Sequence, residues 1–337
     1  MKIISKKKFR FFVGIDVSKE FFDATVMRGQ EIIAHQIILN QETAIKSFLS
    51  GLKDIHGFSS SQCVFGMEHT GIYCHFLLET LKKKKASIVH ENPHVIRNSL
   101  GMIRGKNDKI DSERIAFYLY KCREQLTLWQ PQRKVIGQLA VLDTLRNKLG
   151  QHVAALQHTE KEIACFLDKK TVMMRKKNST GTIAAASNDI QEIDKIIKNI
   201  VDSDVRLCEL MQWMTSVPNV GEKTALQIII KTNEFKDIND PKKFACFAGI
   251  APFPHASGKS LKLKSRVSRF SDTKMKALLH ICAMGSLRSN KELKAYFDRK
   301  TKEEGKNGML VINAIRFKLV LRIFACVNGR RNYQHQL

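Results

Sequence analysis

Three short runs rich in β-branched and aromatic residues, Phe11–Val17, Phe22–Met27 and Glu31–Leu39, stand close together and predict an antiparallel meander of strands. Gln41–Leu52 has helical spacing. Cys63–Met67 is a continuous apolar run suited to a buried strand, with a helix predicted through Tyr73–Lys84 and another strand at Ser87–His90. Asn92-Pro93 marks a turn. In Asp108–Tyr120, Ile110, Ile115 and Leu119 fall on one side and Glu113 and Arg114 on the other, which predicts a helix. Strands followed by strand–helix alternation imply a mixed α/β sheet with helices packed on it.

The period then lengthens. From Val135 to Leu167, Leu139, Leu142, Leu145, Leu149, Val153 and Leu156 recur at steps of three, four and seven, predicting one long helix. A polar stretch, Lys169–Ser187, interrupts it, and Ile190–Met214 resumes with Ile193, Ile196, Ile197, Ile200, Val201 and Leu207. Two amphipathic helices joined by a loop suggest a coiled-coil arm, although the same periodicity suits an ordinary helical core. Beyond it, Ser216–Gly221 leads into a helix over Glu222–Lys231 and resembles half of a helix-hairpin-helix, whose N–H groups can face a DNA phosphate. A short helix over Phe244–Gly249, a loop over Ile250–Ser260, a helix over Thr273–Met284 and a final apolar helix over Leu310–Cys326 follow.

Charge narrows the function. Fifty-seven Lys and Arg against 32 Asp and Glu leave the 337-residue chain at +25, which favours a polyanionic partner. Hydrophobic residues make up 43%, enough to bury real cores. The eight cysteines are scattered without C-x-x-C spacing, which excludes a zinc ribbon and leaves a disulfide framework unsupported. The basic, then apolar start is no signal peptide, because Asp16 interrupts the apolar run. With no run of the ~18–20 apolar residues a membrane span needs, a cytoplasmic protein is expected.

Four acids stand out by position. Asp16 lies at the end of the first strand, and Glu68 ends the run beginning at Cys63 in the same way. A carboxylate within an apolar strand is costly to bury unless it is paired or bound to a cation. Asp108 and Asp111, three apart at a helix start, can point to one side. Such a set suits two divalent cations that activate a water and stabilise the leaving oxygen of a phosphodiester. The plainer alternative makes Asp108 an N-cap, Asp111 a first-turn acid and Glu68 a loop cap.

The segments Phe12-Val13-Gly14-Ile15-Asp16-Val17-Ser18-Lys19, Gly66-Met67-Glu68-His69-Thr70-Gly71-Ile72-Tyr73 and Lys106-Asn107-Asp108-Lys109-Ile110-Asp111-Ser112 resemble the DEDD transposases of the "one-ten" insertion-sequence family. That family includes Piv-type DNA invertases and RNA-guided bridge recombinases. The resemblance implies a RuvC-like (ribonuclease H-like) domain over residues 1–128, a coiled-coil helical arm over 129–212 and a small, mainly α-helical transposase domain over 213–337. It implies that Asp16, Glu68, Asp108 and Asp111 hold Mg²⁺ or Mn²⁺.

Farther on, Ser216-Val217-Pro218-Asn219-Val220-Gly221 with Thr224-Ala225, and Phe244–Pro252, resemble the segments that precede the family's Ser-Gly pair, here Ser257-Gly258. Asn219 stands where Gly is more usual, and Phe270-Ser271-Asp272 where many relatives have Gly-Asn. By resemblance Ser257 is the nucleophile that holds a DNA end covalently, within a site composed between subunits. On spacing alone, Ser257 is a serine in a loop with Ser260 and Ser265 as rivals. Lys106, Lys109, Lys259, Lys262, Lys264, Arg266 and Arg269 are candidate nucleic-acid contacts, and Arg330-Arg331 a further basic pair. A solvated charged face is the alternative for the stretch Lys262–Arg269. His69, His75 and His255 lie near these segments and are not assigned as metal ligands. The expected partners are double-stranded DNA, an element-encoded guide RNA and further copies of the chain, in a bacterial or archaeal nucleoid. Two other readings fit the residues: a junction nuclease that hydrolyses DNA with the acids alone, and a non-catalytic DNA-binding repressor.

Overall fold

The computed structural model describes residues 8–69, 71–101, 107–163, 165–257, 261–268 and 270–334, with the side chains of 159–163, 254–257 and 261–265 outside the description. The chain forms two compact units, Lys2–Pro131 and Gln132–Leu337.

The first unit runs β1 (Phe11–Val17), β2 (Phe21–Arg28), β3 (Glu31–Leu39), α1 (Glu42–Gly51), β4 (Cys63–Glu68), α2 (His75–Lys83), β5 (Ser87–Glu91), α3 (Pro93–Ser99) and α4 (Asp108–Lys121). The sheet order is β3-β2-β1-β4-β5. The first three strands pair antiparallel, as their spacing predicts, and β1, β4 and β5 pair parallel.

Strand period two sorts the side chains between faces. Phe11, Val13 and Ile15 of β1, with Cys63, Phe65 and Met67 of β4, pack against Ile45, Phe48 and Leu49 of α1 and Leu77 and Leu81 of α2. Phe12 and Val64 face the other way, onto Ile115, Ala116 and Leu119 of α4. The mixed sheet and the helical remainder bear out the expected mixed α/β domain followed by mainly helical parts.

Asn92-Pro93 starts a helix rather than making a free turn. The Asn92 side chain accepts from His94 N at 2.9 Å, and Pro93 occupies a first-turn position. Its missing N–H has no intrahelical partner there to lose.

The second unit comprises α5 (Lys134–Ile163), α6 (Lys169–Asp202), α7 (Val205–Thr215), α8 (Glu222–Thr232), α9 (Pro241–Phe247), β6 (Pro252–Ser257), β7 (Leu261–Val267), α10 (Thr273–Ser289), α11 (Lys291–Asp298) and α12 (Gly308–Gly329). Helices α5 and α6 pack along each other. Ile136 and Leu139 of α5 and Ile193, Ile197 and Val201 of α6 share one core with α7 through α12. Among the described residues, no helix is long and apolar enough to cross a membrane.

Two local expectations are corrected here. Lys169–Ser187 does not interrupt the helices but forms the first half of α6. Asp168 caps it, accepting from Thr171 N at 3.0 Å. The Thr180 and Ser187 hydroxyls donate to the carbonyls four residues back, so they are satisfied without breaking the helix. Ile250–Ser260 is not a plain loop, because Pro252–Ser257 is a strand paired antiparallel with Leu261–Val267. Both strands of this ribbon are edges, and Pro254 falls at the irregularity between Phe253 and His255. A proline is tolerated at such a place.

Candidate catalytic carboxylate site

Gly14 and Gly66 are register partners on β1 and β4, and both lie under α4. A β-carbon on Gly14 would sit 2.2 Å from Ser112 O, and one on Gly66 would meet the Leu119 side chain at 2.7 Å. Two missing side chains therefore make the trough in which α4 rests. Asp16 and Glu68 each follow their glycine by two residues, so both acids share the face that α4 covers.

Helix α4 is held in register by a buried hydrogen bond, Thr25 Oγ1 to Ser112 Oγ at 2.7 Å. Its N-cap is Asn107, whose side chain accepts from Ile110 N at 2.7 Å. Asp108 is thus not the cap. Asp108 and Asp111 both stand in the first turn, where the helix dipole favours negative charge. Asp108 is exposed, and Asp111 is half-buried beside Arg114 Nη1 at 2.5 Å.

Asp16 feels the other three acids. Burial first, then the charges of Asp111, Glu68, Asp108 and Asp23 in that order, push the Asp16 carboxyl up to about 6. This mutual repulsion is what a bound cation relieves. The donor set also fits a hard divalent ion, which takes oxygen ligands. Among the described residues, no three His, Cys, Asp or Glu side chains are drawn close enough together to hold a metal.

Two further carboxylates sit level with these, and sequence reasoning missed them. Asp23 of β2 is the register partner of Asp16, and Glu91 of β5 that of Glu68. Asp23 is buried and pairs with His35 Nε2 at 2.8 Å. Glu91 accepts from Asn92 N at 3.0 Å and from the Tyr118 hydroxyl of α4 at 3.4 Å. Glu91 ends a short apolar run just as Glu68 does, and that signal was available.

Asn40 was also overlooked. Its Nδ2 donates to the carbonyls of Ser18 and Tyr73, both at 3.0 Å, tying the loop after β1 to the segment after β4. His69 stacks on His90 with ring centroids 3.6 Å apart. Burial first, then the neighbouring His69, depresses the His90 imidazole to about 4.

Ser257 is the last residue of β6, opposite Leu261, and its side chain lies outside the described residues. So do Lys106, Lys259 and Arg269 and the side chains of Lys262 and Lys264. Lys109 is exposed in the first turn of α4, and Arg266 is exposed on β7.

Two models of one transposase family match this chain. A DEDD transposase model, described as "Transposase", matches residues 13–169, and a model described as "Transposase IS116/IS110/IS902 family" matches residues 211–298. The chain is 22% identical to the "Pilin gene-inverting protein" of Moraxella lacunata over 329 residues, covering 97% of this chain and 98% of that protein. The protein of the same description from Moraxella bovis matches equally. Among solved structures, a T. thermophilus RuvC in complex with a Holliday junction substrate aligns with a TM-score of 0.27 and 9% identity, over 35% of this chain and 99% of that one. With one model over the acid-bearing unit and the other over the helical unit, in order along the chain, the protein belongs to the IS116/IS110/IS902 family of transposases, enzymes that cut and rejoin DNA.

Proposed function

We propose that this transposase exchanges DNA strands by transesterification, with Asp16, Glu68, Asp108 and Asp111 as the ligands of a divalent metal and Ser257 as the nucleophile. The observation that carries the metal assignment is the trough at Gly14 and Gly66, which seats α4, with Asp108 and Asp111 in its first turn, on the sheet face that Asp16 and Glu68 share. Mg²⁺ or Mn²⁺ bound there would supply Lewis-acid stabilisation of the charge developing on the phosphate oxygens. These four acids would hold the ion, with Asn107 and the Thr25–Ser112 bond keeping the first turn of α4 in place.

Ser257 Oγ attacks a DNA phosphorus, gives up its proton, and displaces the deoxyribose oxygen, which leaves as a hydroxyl after taking a proton. The serine phosphodiester so formed keeps the energy of the broken bond. A second DNA hydroxyl then attacks the same phosphorus and returns the serine to its free form. Lys259, Lys262, Lys264, Arg266 and Arg269 follow Ser257 in sequence and are assigned to phosphate contacts, as are Lys106 and Lys109 next to the acids in sequence. The resemblance to RNA-guided members of the family supports an element-encoded RNA as the selector of donor and target. Assembly as a dimer or tetramer is assigned to the arm over residues 129–212, where Val141 is 70% and Met173 71% exposed.

A covalent-trapping assay tests this reading. Protein, Mg²⁺, the flanking element RNA and labelled junction DNA are resolved on a denaturing gel beside Ser257→Ala and Asp16→Ala. A DNA-linked band lost in both variants is expected. Cleavage without any adduct, surviving Ser257→Ala, would replace the serine mechanism with metal-dependent hydrolysis.

A further inference from the structure

A cleft of about 720 Å³ opens where the β6–β7 ribbon leaves the helical unit, lined by Cys246 and Phe247 of α9, Phe253 of β6, Arg266 of β7, and Ser268 and Phe270 beyond it. This volume is within the ~300–1,000 Å³ range of clefts that take small ligands. Three short tethers build it. Asp272 N donates to Phe247 O at 2.9 Å, holding the segment after β7 against α9. Phe270 N donates to Ser268 Oγ at 3.1 Å, which turns the chain so that Phe270 stands beside the ribbon. Phe247 is anchored from behind by the Phe244 ring, 5.9 Å away between centroids.

The lining has an uncommon composition for a surface facing water. Phe253 is 44% exposed and Phe270 68%, and the exposed Arg266 guanidinium has no carboxylate in ion-pair range among the described residues. Neither ring is needed to close the core, which is centred on Phe244 and Phe324. Aromatic faces beside a guanidinium match one chemistry closely: a nucleotide, with its base against the rings and its phosphate on the cation. A purely apolar ligand would leave Arg266 without a role, and an anion alone would leave the rings without one.

We propose that this cleft binds an unstacked nucleotide of the DNA strand being exchanged. The proposal rests on DNA being the substrate, and the ribbon that ends in Ser257 would receive the strand next to the held nucleotide. Taking one base out of the stack costs a few kcal/mol in general, and a preformed aromatic cleft repays it. The cleft thereby selects a strand whose local pairing is already open.

The test is binding of a fluorescein-labelled single-stranded DNA oligonucleotide to the full-length protein, read by anisotropy, with an abasic site moved along the strand. One position is expected to weaken binding about tenfold when abasic. In the Phe253→Ala/Phe270→Ala variant, intact DNA should bind about tenfold more weakly and the abasic penalty should vanish. Phe253→Tyr/Phe270→Tyr should restore both, which separates loss of stacking from loss of folding. Ser257→Ala should keep the abasic penalty whether or not a covalent adduct can be trapped, so the two readings fail independently. An equal abasic penalty in wild type and the alanine variant overturns the proposal, as does a penalty seen only with an RNA oligonucleotide.

Discussion

A β-carbon on Gly14 would lie 2.2 Å from the backbone nitrogen of Ala116. Nothing flexible stands in that gap, so Gly14→Ala must push α4 off β1 and carry Asp111 away from Asp16. Overpacking of this kind costs about 1–3 kcal/mol. The expected outcome is a lower Tm together with lost DNA strand cleavage, measured by thermal unfolding and a junction-cleavage assay. A variant with wild-type cleavage would mean that the seating of α4 does not set the site.

Metal should stabilise the folded chain through the same carboxylates. At a concentration of about 100 Kd, Mg²⁺ or Mn²⁺ adds about 2.7 kcal/mol by mass action. Asp16→Asn should raise the metal-free Tm at neutral pH, because it removes a half-buried charge repelled by Asp111, Glu68 and Asp108. After allowance for solvent screening, that gain is about 1–2 kcal/mol. The same variant should show no rise in Tm when Mg²⁺ or Mn²⁺ is titrated in by scanning calorimetry.

Two buried titrations oppose each other in the metal-free protein. The Asp16 carboxyl, raised from 3.8 to about 6, keeps a proton that the unfolded chain has lost, so its contribution is complete below about 3.8 and lost as pH rises through 6. The His90 imidazole, lowered from 6.5 to about 4, is neutral where the unfolded chain is charged, so its contribution is complete above about 6.5 and lost as pH falls through 4. Urea midpoints between pH 4 and 6.5 are therefore expected to be nearly flat in wild type. They should fall toward acid in Asp16→Asn and fall toward neutrality in His90→Phe.

In the helical unit, Arg133 joins two carboxylates distant in sequence. It reaches Asp204, the N-cap of α7, at 2.7 Å and the buried Glu234 at 2.6 Å. Glu234 lies in a run of three left-handed residues, Asn233, Glu234 and Phe235, with φ of 49°, 57° and 64°. Left-handed φ at non-glycine residues costs energy, and surrounding contacts must impose it. Arg133→Met leaves Glu234 with Lys236 alone and should destabilise the unit by about 2–4 kcal/mol, read by denaturant titration. Since the described ion-pair partners of Arg133 are Asp204 and Glu234, residual activity at low temperature should stay near wild type.

Much of the acidic site was legible in the chain. Asp16 and Glu68 close apolar runs, and carboxylates so placed need a partner that neighbouring residues do not provide. The spacing of Asp108 and Asp111 was equally plain, because helical period alone puts residues three apart on one side. Asp23 and Glu91 were not legible as members of the same row. Cross-strand pairing decides that Asp23 stands opposite Asp16, and Glu91 opposite Glu68. The first half of α6 and the β6–β7 ribbon were hidden for another reason. The helix half is largely solvent-facing, so no apolar stripe marks it, while the strand's alternation of Leu261, Leu263 and Val267 with Lys262, Lys264 and Arg266 read as a run of charge.

By itself the sequence determined the strands and helices with one dry face, the +25 charge that points to nucleic acid, and the order of the acids that marks the family. These are local or summed properties, carried by each residue wherever the chain goes. Tertiary structure alone decided that Gly14 and Gly66 form one trough and that burial and four other acids raise Asp16. Those are distances between residues far apart in the chain. They exist only once strand register and helix seating have been chosen, and electrostatic coupling follows from those separations and the burial that comes with them.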